Sequence, residues 1–231
     1  MNQKMIMFDF ADTIAELSPL REVLVQDFIL MKLNIKIPLN EIKIIHHYVS
    51  NILFYSSVKI NDNDDKKQFY IKFNQSILSF LGLSHLLEGE DLFNYFKANK
   101  QHWVLKDNVK ELLIDLKSKD NFVCLVSNFD TRLNEILKDM NIFDLFDSVY
   151  ISQEVGLEKP DIDFFKLALR KYNMNPKDCF FIGDSYLLDF VPSNSLLINS
   201  ILLDESSRYS FLPESNRIAN ILDCKKIIFN K

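Results

Sequence analysis

A carboxylate set at the end of an apolar run constrains this chain more than any other feature. In Met5–Thr13, MIMFDFADT, residues Met5, Ile6, Met7, Phe8 and Phe10 are apolar, the pattern of a short strand buried on both faces. Asp9 interrupts the run near its end, and Asp12 and Thr13 follow at once. A buried strand has no structural use for an unpaired carboxylate, since desolvating that charge costs on the order of several kcal/mol. The competing reading makes Asp9 the cap of a following helix, a place where Asp is common.

The 231 residues suffice for one domain with a substantial insert, or for two modest domains. A net charge of −5 argues against a nucleic-acid or anionic-membrane surface, where a basic balance is expected. Cys124, Cys179 and Cys224 are odd in number, widely spaced and free of CxxC patterns, which reads as reduced thiols and not as a disulfide frame or zinc site. No signal-peptide pattern precedes the first strand, and no apolar run approaches the roughly 18–20 residues of a membrane span. The expectation is a cytoplasmic protein with neither nucleic acid nor membrane as partner. Oligomeric state is not legible.

From Ile14 to Lys106 the pattern is helical, without strand-like alternation. Ser18-Pro19-Leu20-Arg21-Glu22 reads as a helix start with Ser as cap and Pro at the first position. Further helices are expected from Asn40 through Leu53, over Phe69–Leu83 and over Leu92–Phe96, with Phe54, Tyr55, Phe69, Tyr70 and Phe73 as core aromatics of this segment. After Asp107 strands and helices alternate. Helices are expected over Val109–Leu116, Leu133–Met140 and Ile162–Tyr172, and strands over Phe122–Val126, Val149–Ile151, Cys179–Ile182 and Ile201–Leu203. That alternation implies an α/β fold, a parallel sheet with helices on both faces. Ser193–Ser200 and Asp204–Asn216 read as loop-rich surface. Asp9, Ser127 and Asp184 each fall at or just beyond the carboxyl end of an expected strand, where ligands bind in such sheets.

Four segments in order resemble the motifs of the haloacid dehalogenase superfamily: Asp9-Phe10-Ala11-Asp12-Thr13, Ser127 within VSNFDTRL, Lys159 within GLEKPD, and Asp184 with Asp189 within GDSYLLD. The resemblance implies a Rossmann-like core, residues 1–15 and 107–231, with an all-helical cap inserted at 16–106. It implies that Asp9 attacks phosphorus and forms an aspartyl-phosphate that water hydrolyses, a case of carboxylate nucleophilic catalysis. Mg²⁺ would be held by the Asp9 carboxylate, the Ala11 carbonyl and Asp184, with Asp189 beside them orienting Lys159 or a metal-bound water. Lys159 would neutralise the phosphate and Asp9. Ser127 would bind phosphate oxygens, with Thr13 and Asn128 also on the substrate. The implied partner is a small phosphorylated substrate.

One position departs from the family. The residue two beyond the nucleophile, its usual general acid/base, is Ala11. Such catalysis is typically worth about 10²–10⁴ in rate, and alanine cannot supply it. On an extended strand neighbouring side chains point to opposite faces, which makes Asp12 a poor substitute. Three readings follow: a Mg²⁺-dependent phosphatase that is slow or specialised; a relative of phosphonoacetaldehyde hydrolase, which resembles it in having Ala here and draws a Schiff-base lysine from the cap (Lys32, Lys59, Lys66 and Lys67 are among the cap lysines); or a non-catalytic relative that binds a phosphorylated ligand or a protein. A milder departure is the bulky run Phe190–Ile198 after the fourth motif, where the family has small residues.

Overall fold

Four consecutive apolar residues, Met5–Phe8, form the strand (β1) on which the core is built. The computed structural model describes residues 3–55 and 62–229, so Lys59 lies outside the described residues, as do the side chains of Phe54 and Tyr55. Around β1 the sheet adds β4 (Phe122–Ser127), β5 (Ser148–Ile151), β6 (Cys179–Gly183), β7 (Asn199–Leu203) and β8 (Arg217–Ile218). Among the described residues the order is β5-β4-β1-β6-β7-β8, and every pairing is parallel.

Period-2 alternation sends β1 side chains to opposite faces. Ile6 and Phe8 pack with Val123, Leu125, Phe180 and Ile182, beneath Leu112 and Leu116 of α5 (Val109–Ser118) and Ile228 of α10 (Cys224–Phe229). Met5 and Met7 pack with Cys124, Val126 and Phe181, beneath Phe164, Phe165 and Ala168 of α8 (Ile162–Lys171). Both faces are therefore covered, which explains strands that read as continuous apolar runs. The fold is the expected α/β architecture with a parallel sheet.

The chain divides into two compact units, Met1–Glu16 with Trp103–Lys231, and Leu17–His102. The second unit holds α1 (Arg21–Leu33), α2 (Leu39–Tyr55), α3 (Asn63–Phe80) and α4 (Gly89–Ala98), packed around Val25, Phe28, Ile42, Phe73, Ile77 and Leu92. The polar stretch before α3 has a local use: the Asp62 carboxylate accepts from the Asp64 and Asp65 amides and caps the helix.

Several expectations need correction. The stretch from 14 to 106 is not purely helical, because β2 (Ala15–Ser18) and β3 (His102–Leu105) form a two-stranded sheet. Each has four residues, too few to show an alternating pattern. Ser18 ends β2 and does not cap α1, whose flanking residue is Leu20 with no side-chain cap. Ser193–Ser200 is surface loop only in part, around the exposed Asn194, Ser195 and Leu197. It takes in the end of α9 (Val191–Ser195) and the start of β7 (Asn199–Leu203), with Ser193 and Ser200 buried and their hydroxyls 2.6 Å apart. Asp204, expected to open an exposed tail, is also buried.

Candidate active site

The carboxyl edge of the sheet gathers residues from four chain segments. Phe8 is in register with Leu125 of β4 and Ile182 of β6. The ladder runs one step further, since the Asp9 amide donates to the Ile182 carbonyl at 2.9 Å. Asp9, Ser127 at the last position of β4 and Asp184 just past β6 thus reach one edge. β1 lies between β4 and β6, with later strands added outward on each side. That switch point is where open α/β sheets bind ligands.

Beyond Asp9 the backbone turns tightly. The Ile14 and Ala15 amides both donate to the Phe10 carbonyl, at 3.0 and 3.1 Å, and the Asp12 amide donates to the Ala15 carbonyl at 2.8 Å. Asp12 sits at φ 57°, a left-handed conformation that Asp tolerates better than most residues. Residues 9–13 are therefore not an extended strand, and the alternation argument against Asp12 does not apply; its side chain is exposed. Ala11 is half-buried and bridges to Ala15. Thr13 is buried, and its hydroxyl lies a long 3.4 Å from Asp184 Oδ1.

Lys159 is 3% exposed and donates from Nζ to Asp9 Oδ1 at 2.7 Å and to Asp189 Oδ1 at 2.6 Å. Its main chain is held by Asn128, whose Nδ2 donates to the Lys159 carbonyl at 2.8 Å and whose Oδ1 accepts from the Lys159 amide at 2.7 Å. The Asn128 side chain is therefore committed to placing the lysine, a role its position in a post-strand turn did not suggest. The peptide bond from Lys159 to Pro160 is cis. Asp189 is buried, and its second oxygen accepts from the Ser185 amide at 3.0 Å. It passes so close to Gly183 that a Cβ there would meet Asp189 Oδ2 at 2.3 Å, which is why that position is glycine. Ser127 is buried at the sheet edge, in register with Ile151.

Electrostatically the site has too little positive charge. Asp9, Asp184 and Asp189 each offer an oxygen within 4.8 Å of the others, against one ammonium. Burial pushes Asp184 well above the usual carboxylate range, with repulsion from Asp12, Asp189 and Asp9 adding to it. Burial raises Asp189 to about 6 despite the pull of Lys159. Burial works against the Lys159 ammonium, yet the charges of Asp189 and Asp9 outweigh it and lift the amine above its ordinary value. A hard, all-oxygen donor set short of positive charge is what Mg²⁺ requires, so the residues fit that ion.

A strand-end acid does not by itself mark a site. Asp204 stands just past β7 and is equally buried, but its carboxylate accepts from the Arg208 and Tyr209 amides at 2.8 and 2.9 Å. It organises a loop.

The haloacid dehalogenase-like hydrolase family matches residues 3–189 of the chain. The chain belongs to that family. Haloacid dehalogenase-like hydrolase domain-containing protein 3 of Homo sapiens is 29% identical over 133 residues, 53% of each chain. Glyceraldehyde 3-phosphate phosphatase of Methanothermobacter thermautotrophicus is 35% identical over 98 residues, 42% of this chain and 43% of that protein. The chain spans about half the length of the curated relatives it matches. Among solved structures, YfnB from Bacillus subtilis, described as bound to magnesium, superposes with a TM-score of 0.68 at 18% identity over 99% of both chains. A HAD phosphatase from Thermococcus onnurineus superposes at 0.61 and 16% identity, again over 99% of both. At those identities the superpositions speak for the fold of this haloacid dehalogenase-like hydrolase. Among its described residues, no helix is long and apolar enough to cross a membrane.

Proposed function

We propose that this chain is a Mg²⁺-dependent hydrolase of a small phosphate monoester, with Asp9 as nucleophile and residues 16–106 as a cap domain. The observation that carries the reading is the Lys159 clasp: one buried ammonium bonded to Asp9 and to Asp189, with Asp184 alongside. A phosphatase among the relatives supports the substrate class.

Asp9, Asp184 and the Ala11 carbonyl would hold the ion, with Asp189 beside them. When bound, Mg²⁺ supplies Lewis-acid polarisation and charge neutralisation for a phosphoryl group. The chain does the rest. Lys159 fixes the rotamer of Asp9 through Oδ1, leaving Oδ2 to attack phosphorus as the ester oxygen departs. The same ammonium offsets the repulsion between the carboxylate and an anionic phosphoryl group. Ser127, buried at the end of β4, lends its hydroxyl to a phosphate oxygen, and Asn128 serves by holding the Lys159 main chain. Since Ala11 holds no proton, the ester oxygen must leave as a weakly basic anion or take its proton elsewhere, which favours esters with good leaving groups.

The test is phosphate release from a panel of monoesters with Mg²⁺, comparing the native chain with Asp9→Asn and Ala11→Asp. The expected result is Mg²⁺-dependent release that Asp9→Asn abolishes and Ala11→Asp raises by about 10²-fold, the low end of general acid–base catalysis. Silence of both the native chain and Ala11→Asp would overturn the reading in favour of a ligand-binding relative. Borohydride trapping of a carbonyl substrate on a lysine would favour the phosphonate-cleaving alternative.

A further inference from the structure

Lys106 belongs to none of the four motifs, yet it grips the turn that carries the first of them. Its amide donates to the Ile14 carbonyl at 3.0 Å, and its Nζ donates to the Asp12 carbonyl at 2.6 Å. The side chain is only 12% exposed, and its charge is met by Glu205 Oε1 at 2.9 Å. Glu205 follows β7 in a loop with its own scaffold. The neighbouring Asp204 carboxylate accepts from the Arg208 and Tyr209 amides, and Arg217 lies 3.6 Å from it. The Tyr209 ring in turn stacks on Tyr186, with centroids 5.4 Å apart and planes 20° from parallel. Tyr186 is two residues beyond Asp184 and also stacks against Phe190, at 5.6 Å and 15°. One loop thus joins the turn after Asp9 to the segment after Asp184, through an ion pair at one end and a ring stack at the other.

We infer that Lys106 is a positioning residue: anchored by Glu205, it holds the Phe10–Ala15 turn in the shape that presents Asp9 and the Ala11 carbonyl. Stability alone does not account for it. Glu205 is half exposed, and ion pairs of that kind contribute little. The contact that matters is the one to a main-chain carbonyl of a left-handed residue, where a fixed ammonium selects one peptide orientation of a strained turn. The loop reaches one of the bulky residues after the fourth motif indirectly, since Phe190 stacks on Tyr186. Phe211 of the same loop packs edge-on against both Tyr186 and Tyr209, at 5.6 and 6.0 Å, so the loop meets the segment after Asp184 through a cluster of rings. The consequence for metal and nucleophile rests on the proposed phosphatase reading, whereas the grip on the turn does not.

The experiment compares native chain, Lys106→Met, Lys106→Arg and Glu205→Gln by two readouts. Hydrogen exchange at the amides of Asp12, Ile14 and Ala15 reports the turn itself. Titration calorimetry with Mg²⁺ alone reports the ion. Lys106→Met is expected to speed exchange at those amides at least about tenfold while amides of β4 and β6 are unchanged, the mark of a local opening. It is expected to weaken Mg²⁺ binding about tenfold, the effect typical of losing a group that orients a ligand. Lys106→Arg restores most of both, and Glu205→Gln falls between. Unchanged exchange at the three amides, or a rise spread evenly over the core, overturns the inference. If the native chain binds no Mg²⁺, the phosphatase reading falls, and the exchange measurement still decides the role of Lys106.

Discussion

Adding one methyl group at Gly183 tests the geometry of the site without touching a charged residue. In Gly183→Ala the new Cβ would sit 2.3 Å from Asp189 Oδ2, 2.4 Å from its Cγ and 2.7 Å from its Cβ. Rotating the Asp189 side chain about its Cα–Cβ bond relieves only the first two, so the Asp189 backbone or β6 must shift. Asp189 has no slack, because Lys159 Nζ holds one oxygen at 2.6 Å and the Ser185 amide holds the other at 3.0 Å. Overpacking of this kind costs about 1–3 kcal/mol, and losing a charge-assisted hydrogen bond costs about 1.5–3 kcal/mol more. Native stabilities are only about 5–15 kcal/mol. For a chain of this length each kcal/mol lowers Tm by about 2–4 °C, which puts the expected fall near 10–15 °C. Gly82→Ala is the control: a Cβ there meets nothing within 4 Å, but φ is +73°, so only backbone strain of about 1–2 kcal/mol applies. Thermal unfolding followed by circular dichroism compares the two. A Gly183→Ala melt within about 2 °C of native, or no lower than Gly82→Ala, would refute the argument that Asp189 is locked against β6.

Lys159→Met leaves Asp9 and Asp189 facing each other in a buried site without their shared cation; breaking such a pair costs about 3–5 kcal/mol, to be read from urea midpoints at pH 7. Asn128→Ala removes both hydrogen bonds to the Lys159 main chain, worth about 1 kcal/mol each, and its Tm is expected to fall by about 4–8 °C. Burial pushes the thiols of Cys124, Cys179 and Cys224 up to about 12, from an ordinary 9.0. The unfolded chain releases these protons first, so their contribution to stability is intact below about pH 9 and is lost as pH rises toward 12. Urea midpoints are expected to fall across that range, and a thiol reagent at pH 8 is expected to label the native chain far more slowly than the unfolded one.

Much of the candidate site was legible because it depends on what buried strands cannot tolerate. Asp9 and Asp184 stand out as acids terminating apolar runs, and the structure brings both to one edge together with Lys159 and Asp189. The rest was hidden for physical reasons. Asp204 gives the same sequence signal and spends its carboxylate on two loop amides. Asn128 looks like any turn residue until Lys159, 31 positions later, folds against it. Ser193 and Ser200 read as surface because a hydroxyl paired with another hydroxyl in the interior leaves no trace in hydropathy. The short strands β2 and β3 lacked the length to alternate, and the turn at Asp12 broke the extended geometry assumed for residues 9–13.

The central claim is that Asp9 is the group that takes the phosphoryl moiety. The most direct measurement is rapid acid quench of native chain with Mg²⁺ and a radiolabelled aryl phosphate, followed by peptide mapping. The account predicts an acid-stable, hydroxylamine-sensitive label on the peptide containing Asp9, absent in Asp9→Asn and longer-lived in the native chain than in Ala11→Asp. Phosphate release with no label on that peptide, or with the label elsewhere, would contradict it.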